Sequence, residues 1–312
     1  IMSGGQEGVC VLGIFVADLA FMGDRMPKIG ETIAGSGFKM GPGGKGSNQS
    51  VAAARAGAKV TFISKIGRDT FGDVAQKTWS AEGINAQVGI SDQDPTGVAF
   101  IYVNDKTGEN AIIVYPGAAG TLSPADVDAH AASIRGAKVF VTQLEQPVAA
   151  AQRGLEIARA AGVITVFNPA PAERFPDAFY PLCDYIAPNE SEAAAIVGFQ
   201  LDSMEAARRA GDAILAKGAK NALITLGERG ALLHSKSASV HVPAVSAGSV
   251  IDTAGAGDAF VGGFAAAIAN GVAPTEAVRF GCTVAGISVT RRGTAPAMPS
   301  RAEIDALLAK VA

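Results

Sequence analysis

Val9-Cys10-Val11-Leu12-Gly13-Ile14-Phe15, continued through Val16 and Ala17 to Asp18, decides how the rest of the chain is understood. The run is apolar and ends on a carboxylate. It falls short of the roughly 18 apolar residues that a membrane span needs, and it lacks the basic segment that opens a secretory signal. A short unbroken apolar run of this kind reads as a strand buried on both faces, the habit of parallel sheets.

Similar runs recur at Val60–Ser64, Val139–Thr142, Val163–Phe167, Tyr185–Ala187 and Ala222–Thr225. Between them lie alanine-rich stretches with helical spacing: Ser47–Ala56, Phe71–Glu82, Pro147–Ala161, Ser203–Lys217 and Ala256–Ala269. The alternation predicts an α/β fold, a doubly wound and mainly parallel sheet flanked by helices. Two segments break it, at about residues 18–40 and 84–115. In the second, Gly97–Val103 and Asn110–Tyr115 flank the turn Asn104-Asp105-Lys106-Thr107-Gly108. Both are expected to form antiparallel strands, making a small β lid over a ligand crevice. No repeat, low-complexity tract or Pro-rich linker divides the 312 residues, so residues 1–312 read as a single domain.

With 48% hydrophobic and 18% charged residues, the composition excludes a disordered, collagen-like or coiled-coil chain. The 26 basic and 29 acidic side chains give a net charge of −3, and no basic run exceeds the pairs Arg208-Arg209 and Arg291-Arg292. Such a chain lacks the positive field that a phosphate backbone requires, so neither nucleic acid nor a membrane is an expected partner. Cys10, Cys183 and Cys282 are odd in number, far apart and set among apolar neighbours. They offer no disulfide framework, and a reducing cytoplasm is the expected setting. His130, His234 and His241 have no metal-ligand spacing.

The richest chemistry lies in Asp252-Thr253-Ala254-Gly255-Ala256-Gly257-Asp258-Ala259-Phe260, which runs into the last of those helices. Small residues there leave backbone N–H groups bare at a helix N-terminus, where the helix dipole attracts anions such as phosphate. Alone, Asp258 would more often be a first-turn acid favoured by that dipole. Beside a phosphate cradle it can instead be a base that takes a hydroxyl proton as the oxygen attacks a γ-phosphoryl group. A second stretch, Gly41-Pro42-Gly43-Gly44-Lys45-Gly46-Ser47-Asn48-Gln49, also leads into a helix. It is not a G-x-x-x-x-G-K-[ST] phosphate loop, because Gly46 follows Lys45 and position 39 is Lys39. It reads either as a turn and helix cap or as fixed donors and acceptors for a polyhydroxylated ligand.

Gly43-Gly44-Lys45-Gly46-Ser47-Asn48-Gln49, then Asn189-Glu190-Ser191-Glu192, then Asp252 to Asp258, in that order over some 200 residues, resemble the ribokinase family of carbohydrate kinases. Gln143-Leu144-Glu145-Gln146-Pro147, Asn168-Pro169-Ala170-Pro171-Ala172 and Thr225-Leu226-Gly227-Glu228-Arg229-Gly230 are closer to the branch that gives the family its name than to its other branches. The likeness runs from about Val9 to Pro299.

The resemblance implies an ATP- and Mg²⁺-dependent kinase acting on a primary hydroxyl, ribose giving ribose 5-phosphate, with another pentose, a ketohexose, a deoxysugar or a nucleoside as the alternatives. It implies that Asp258 is the catalytic base and that Gly255, Ala256 and Gly257 form the anion hole. By the same resemblance Asp18, Gly44, Lys45, Gly46, Asn48 and Glu145 hold the sugar. Asn189 and Glu192 hold Mg²⁺ through water, and Asn189, Thr225, Leu226, Gly227, Glu228, Arg229, Gly230, Gly257 and Cys282 line the nucleotide. Asp252, Ala254, Ser288, Arg291 and Gly293 match a monovalent-cation (K⁺) site, and a homodimer through the lid is implied. Two departures stand out. Ala297 occupies a place where a serine is usual, and Gly13-Ile14-Phe15-Val16-Ala17-Asp18 puts Val16 where the pattern has an asparagine.

From other classes, an idle sugar-binding regulator is opposed by the intact Gly255-Ala256-Gly257-Asp258 run. A nicotinamide-dependent dehydrogenase is opposed by the missing G-x-G-x-x-G after the first strand.

Overall fold

The structure, a computed structural model, describes residues 5–311. Its strands are β1 (Val9–Leu12), β2 (Val16–Gly23), β3 (Gly37–Gly43), β4 (Val60–Gly67), β5 (Asn85–Ser91), β6 (Thr96–Asn104), β7 (Asn110–Gly117), β8 (Val139–Thr142), β9 (Ile164–Phe167), β10 (Tyr185–Ile186), β11 (Asn221–Thr225), β12 (Ala231–Ser235) and β13 (Ser239–Val242). A nine-stranded sheet runs in the order β13-β12-β11-β10-β9-β8-β1-β4-β5, parallel from β5 to β11 and antiparallel across β11-β12-β13. A four-stranded sheet, β3-β2-β6-β7, forms the lid.

All four residues of β1 are buried, as expected of a central strand covered on both faces. The apolar run read from the sequence outlasts the strand. After Leu12 the chain turns over Gly13–Phe15 and leaves the main sheet to begin the lid as β2. The alternation is thus reproduced, with two differences in the lid. First, β5 lies within the segment expected to be lid, yet it pairs in parallel with β4 as the edge of the main sheet. Second, β2 pairs antiparallel with β3 but parallel with β6, so the lid is a mixed sheet. The direction of that second pairing joins segments some 80 residues apart, and no local pattern encodes it.

The helices used below are α1 (Lys45–Arg55), α2 (Thr70–Ala81), α3 (Glu190–Val197), α4 (Ala256–Ala269) and α5 (Pro274–Ser288). Small residues let α4 sink into the core, where eleven consecutive residues, Asp258 to Ile268, are buried. At Gly262 a Cβ would lie 2.5 Å from the Gln49 carbonyl and 2.6 Å from the Ala52 methyl. Glycine there is what lets α1 and α4 approach closely enough for side chains of one to reach the first turn of the other. Trp79 of α2 is fully buried, meets the edges of Phe15 and Phe62, and donates its indole N–H to Ser47 Oγ at 2.9 Å. That contact pins the start of α1, and truncating such a buried ring typically costs about 3–5 kcal/mol.

Candidate active site

Strand order reverses at β1, which has β4 on one side and β8 on the other. In open α/β sheets the crevice for a ligand lies at such a reversal, beyond the carboxyl ends of the strands. The polar residues picked out from the sequence gather there. Asp18 sits in β2, Gly44 to Asn48 begin α1, Glu145 follows β8, Asn189 follows β10, and Thr225 ends β11. A cavity of about 220 Å³ is lined by Lys45, Asn189, Glu192 and Thr225 together with Gly255, Ala256, Gly257 and Asp258.

Helix α4 starts from Gly255, which caps it in the left-handed region at φ 73°, with no side chain accepting from its first N–H groups. The Ala256 N–H donates to the Thr253 carbonyl at 3.2 Å, and the turn from Gly255 to Asp258 lines the cavity, an arrangement of helix N-terminus and small residues suited to an anion. Asp258, in the first turn, is only 6% exposed, so its carboxylate needs partners. It has two: Asn48 Nδ2 donates to Oδ2 at 3.0 Å, and Gln49 Nε2 donates to Oδ1 at 3.0 Å. The remaining lone pairs of each oxygen are available to a hydroxyl proton.

Beside the cavity, the Lys45 backbone N–H donates to Glu145 Oε2 at 2.7 Å. Asp18 packs against Gly43 of the neighbouring strand. Burial pushes Glu145 up to about 7, against the pull of Lys45, with Asp258 and Asp18 raising it further. Burial and the charge of Asp258 push Asp18 up to about 6. The Lys45 ammonium is raised by Asp258 first, then by Glu145 and Glu192, its burial opposing them. One cation thus faces carboxylates from three separate segments. Asn48 Oδ1 is buried with no partner in the protein, an acceptor waiting for a hydroxyl.

Asn189 and Glu192 cap α3 reciprocally: Asn189 Oδ1 accepts from the Glu192 N–H at 2.8 Å, and Glu192 Oε2 accepts from the Asn189 N–H at 2.8 Å. This capping box fixes the start of α3. It uses one carboxylate oxygen of Glu192 and leaves the other, whose side chain burial raises toward protonation. That buried carboxylate at the cavity wall suits a hydrated divalent cation. Among the described residues no three His, Cys, Asp or Glu side chains converge as a ligand cluster, so a cation here would be completed by water and ligand oxygens.

Past Thr225, Leu226 is buried and Gly227–Arg229 make a short turn between two left-handed glycines, Gly227 and Gly230. Glu228 is exposed, and Arg229 is tied to Glu190 at 2.8 Å. Cys282 is buried inside α5, its thiol pushed up to about 12 by burial. Like Asp18, Asn48 and Glu145, it does not itself line the 220 Å³ cavity. At the expected cation site, Asp252 accepts from the Ala254 and Gly293 N–H groups, both at 2.9 Å, and so draws the two loops together. Ser288 lends its carbonyl to the Arg291 N–H at 3.1 Å, the Arg291 side chain turns away to Glu303, and Ala297 is buried.

Three residues had no role in the sequence reading. Gln49, Gln143 and Asn168, all buried, are wired to Asp258 by amide hydrogen bonds. Gln49 adjoins Asn48 in α1, while Gln143 and Asn168 follow the ends of β8 and β9, and an amide just past an apolar strand run is the only sequence signal that the last two carry.

Residues 6–301 match the profile of the pfkB family carbohydrate kinases. The chain is 38% identical over 299 residues to a ribokinase of Haemophilus influenzae, covering 96% of this chain and 97% of that one. It is 37% identical over 294 residues to a deoxyribokinase of Salmonella typhi, covering 94% and 95%. In structure it is similar to an Arabidopsis thaliana ribokinase complexed with ribose and ATP, with a TM-score of 0.90, 27% identity and coverage of 97% and 99%.

Proposed function

The chain belongs to the pfkB family of carbohydrate kinases, and from that premise we propose that it transfers the γ-phosphoryl group of ATP to the primary hydroxyl of ribose, giving ribose 5-phosphate. The observation that carries the reading is the placement of Asp258 between two differently built groups, the small-residue first turn of α4 that lines the cavity with it and the charged set Lys45, Glu145 and Asp18 that couples to it. The first group suits phosphate and the second suits hydroxyls. In this reading Asp18, Glu145 and Asn48 accept the sugar's hydroxyl hydrogens, with Gly44, Lys45 and Gly46 forming the floor. Asp258 takes the proton of the attacking hydroxyl, and the N–H groups of Gly255, Ala256 and Gly257 stabilise the charge that develops on the transferred group.

Asn189 and Glu192 would hold Mg²⁺ through water, which offsets the triphosphate charge when bound. The segment from Thr225 to Gly230 would line the nucleotide, and Cys282 would lie behind that wall. Asp252, Ala254, Ser288, Arg291 and Gly293 would form a K⁺ site short of one oxygen ligand at Ala297.

A second reading rests on Val16. Alternation along β2 puts Val16 and Asp18 on the same face, so an apolar side chain stands beside a hydroxyl acceptor. A sugar lacking one hydroxyl, such as 2-deoxyribose, suits that wall, and the deoxyribokinase of Salmonella typhi is as similar to this chain as the ribokinases are. Measuring ADP release with ATP and a panel that includes ribose, 2-deoxyribose, fructose and adenosine tests both. The first reading expects the highest kcat/KM with ribose. Release with none of these acceptors would favour an idle regulator.

The lid also supports a homodimer. Its edge strand β7 exposes Ile112, Ile113, Val114 and Tyr115 in succession, and Phe38 of the opposite edge is 59% exposed. Apolar edge strands of this kind pair with a second copy. Light scattering of the purified chain is expected to return twice the monomer mass.

A further inference from the structure

The amides behind Asp258 form one directed chain, and its direction can be worked out link by link. The backbone carbonyl of Ala187 can only accept, so Asn168 presents Nδ2 to it, at 2.8 Å. That leaves Asn168 Oδ1 facing Gln49, which must answer with Nε2, at 3.0 Å. The same Nε2 donates to Asp258 Oδ1 at 3.0 Å. Gln49 Oε1 therefore points the other way, where Gln143 Nε2 donates to it at 2.6 Å. A fixed acceptor at one end thus assigns every amide in the series.

We infer that Gln49 is a positioning residue: its carboxamide, locked between Asn168 and Gln143, fixes the rotation of the Asp258 carboxylate toward the substrate hydroxyl. The inference rests on the reading of Asp258 as the base. Gln49 is fully buried and makes three hydrogen bonds to three different elements, the ends of β8 and β9 and the first turn of α4. A carboxylate held at Oδ2 by Asn48 alone could swivel about that single bond. The second anchor removes the freedom, which matters because small misplacements of a catalytic group cost up to about 10²-fold in rate. The other charges facing Asp258, namely Asp18 from β2, Lys45 from α1, Glu145 after β8 and Glu192 from α3, make no hydrogen bond to its carboxylate, so its rotation is left to the amides.

Two substitutions test this on the full chain with ATP, Mg²⁺ and its best sugar, beside Asp258→Asn. Gln49→Met keeps the length and removes the hydrogen bonds. It is expected to lower kcat about 10- to 100-fold while the sugar KM stays within about threefold. Gln49→Glu keeps the shape and sets a second carboxylate against Asp258, which is expected to move the acidic limb of the kcat profile up by about one pH unit or more. The inference is overturned if Gln49→Met turns over within about twofold of the parent, or if the acidic limb stays put in Gln49→Glu. Should Gln49→Met fail to fold, the Gln49→Glu limb decides. An inactive Asp258→Asn with an unaffected Gln49→Met sinks this inference only, whereas an active Asp258→Asn sinks the assignment of the base.

Discussion

Asn48 donates its side-chain amide to Asp258 across 3.0 Å, joining the start of α1 to the start of α4 over 210 residues of chain. The other end of the same amide, Asn48 Oδ1, is buried and unpaired. On the proposed roles, one side chain would touch the base and offer an acceptor to the sugar, which would couple sugar binding to the orientation of the base.

Asp258→Asn keeps the size of the side chain and removes the base. Turnover is expected to fall by at least about 10²- to 10⁴-fold. ADP release measures this, and an unchanged thermal midpoint shows that the fold survives. Turnover near that of the parent would refute the assignment.

Sugar affinity is expected to weaken in acid. Asp18 is pushed up to about 6 and Glu145 up to about 7, and both must be ionised to accept two hydroxyl hydrogens each. Binding therefore favours the charged forms and releases protons near neutrality, and each carboxylate left protonated costs about tenfold per pH unit below its value. Calorimetry in buffers of different ionisation enthalpy measures the release. For folding the sign is opposite. The folded chain retains protons that the unfolded chain has lost, so these two groups lower stability as pH rises from about 4, the unfolded value, through about 6 and 7.

Two glycines of the proposed anion hole separate strain from obstruction. A Cβ at Gly257 meets nothing within 4 Å in the protein, so Gly257→Ala is expected to fold normally and to lose activity because the methyl occupies space meant for the transferred group. At Gly255, φ of +73° and Thr294 at 3.2 Å oppose any side chain, so Gly255→Ala is expected to lose about 1–2 kcal/mol of stability as well. Denaturant midpoints beside kcat values distinguish the two.

Val16→Asn places an amide on the face of β2 that carries Asp18. The kcat/KM ratio of ribose to 2-deoxyribose is expected to rise by about tenfold or more, since a site that bonds a hydroxyl discriminates strongly against its absence. An unmoved ratio would remove Val16 from the specificity wall.

Potassium stimulation is expected to be reduced or altered, and Ala297→Ser is expected to strengthen it. Equal rates with K⁺ and with tetramethylammonium at one ionic strength, in both proteins, would delete the cation site.

How far the sequence could be read followed the range of each interaction. Strands such as Val139–Thr142 and the helix Ala256–Ala269 were read with their observed bounds because periodicity and turn residues are local. Asp258 stands out in the sequence because its glycines adjoin it. The parallel pairing of β2 with β6 and the place of β5 beside β4 were not, since each depends on which distant edge a strand meets. Gln49 carries no signal of its own in the sequence, because its partners come from the ends of β8 and β9 and from α4, and a helix position alone names none of them.

The three residues Gly13–Phe15 are all that separates the central strand β1 from the lid strand β2. On the proposed roles, the two carboxylates that grip the sugar therefore ride on different bodies, Asp18 with the lid and Glu145 with the main sheet. On those roles they would work like the jaws of a pair of tongs joined at the centre of the molecule. A sugar that spans both jaws is itself the clasp that keeps them shut, and a hydroxyl too few on either side leaves the grip one-handed.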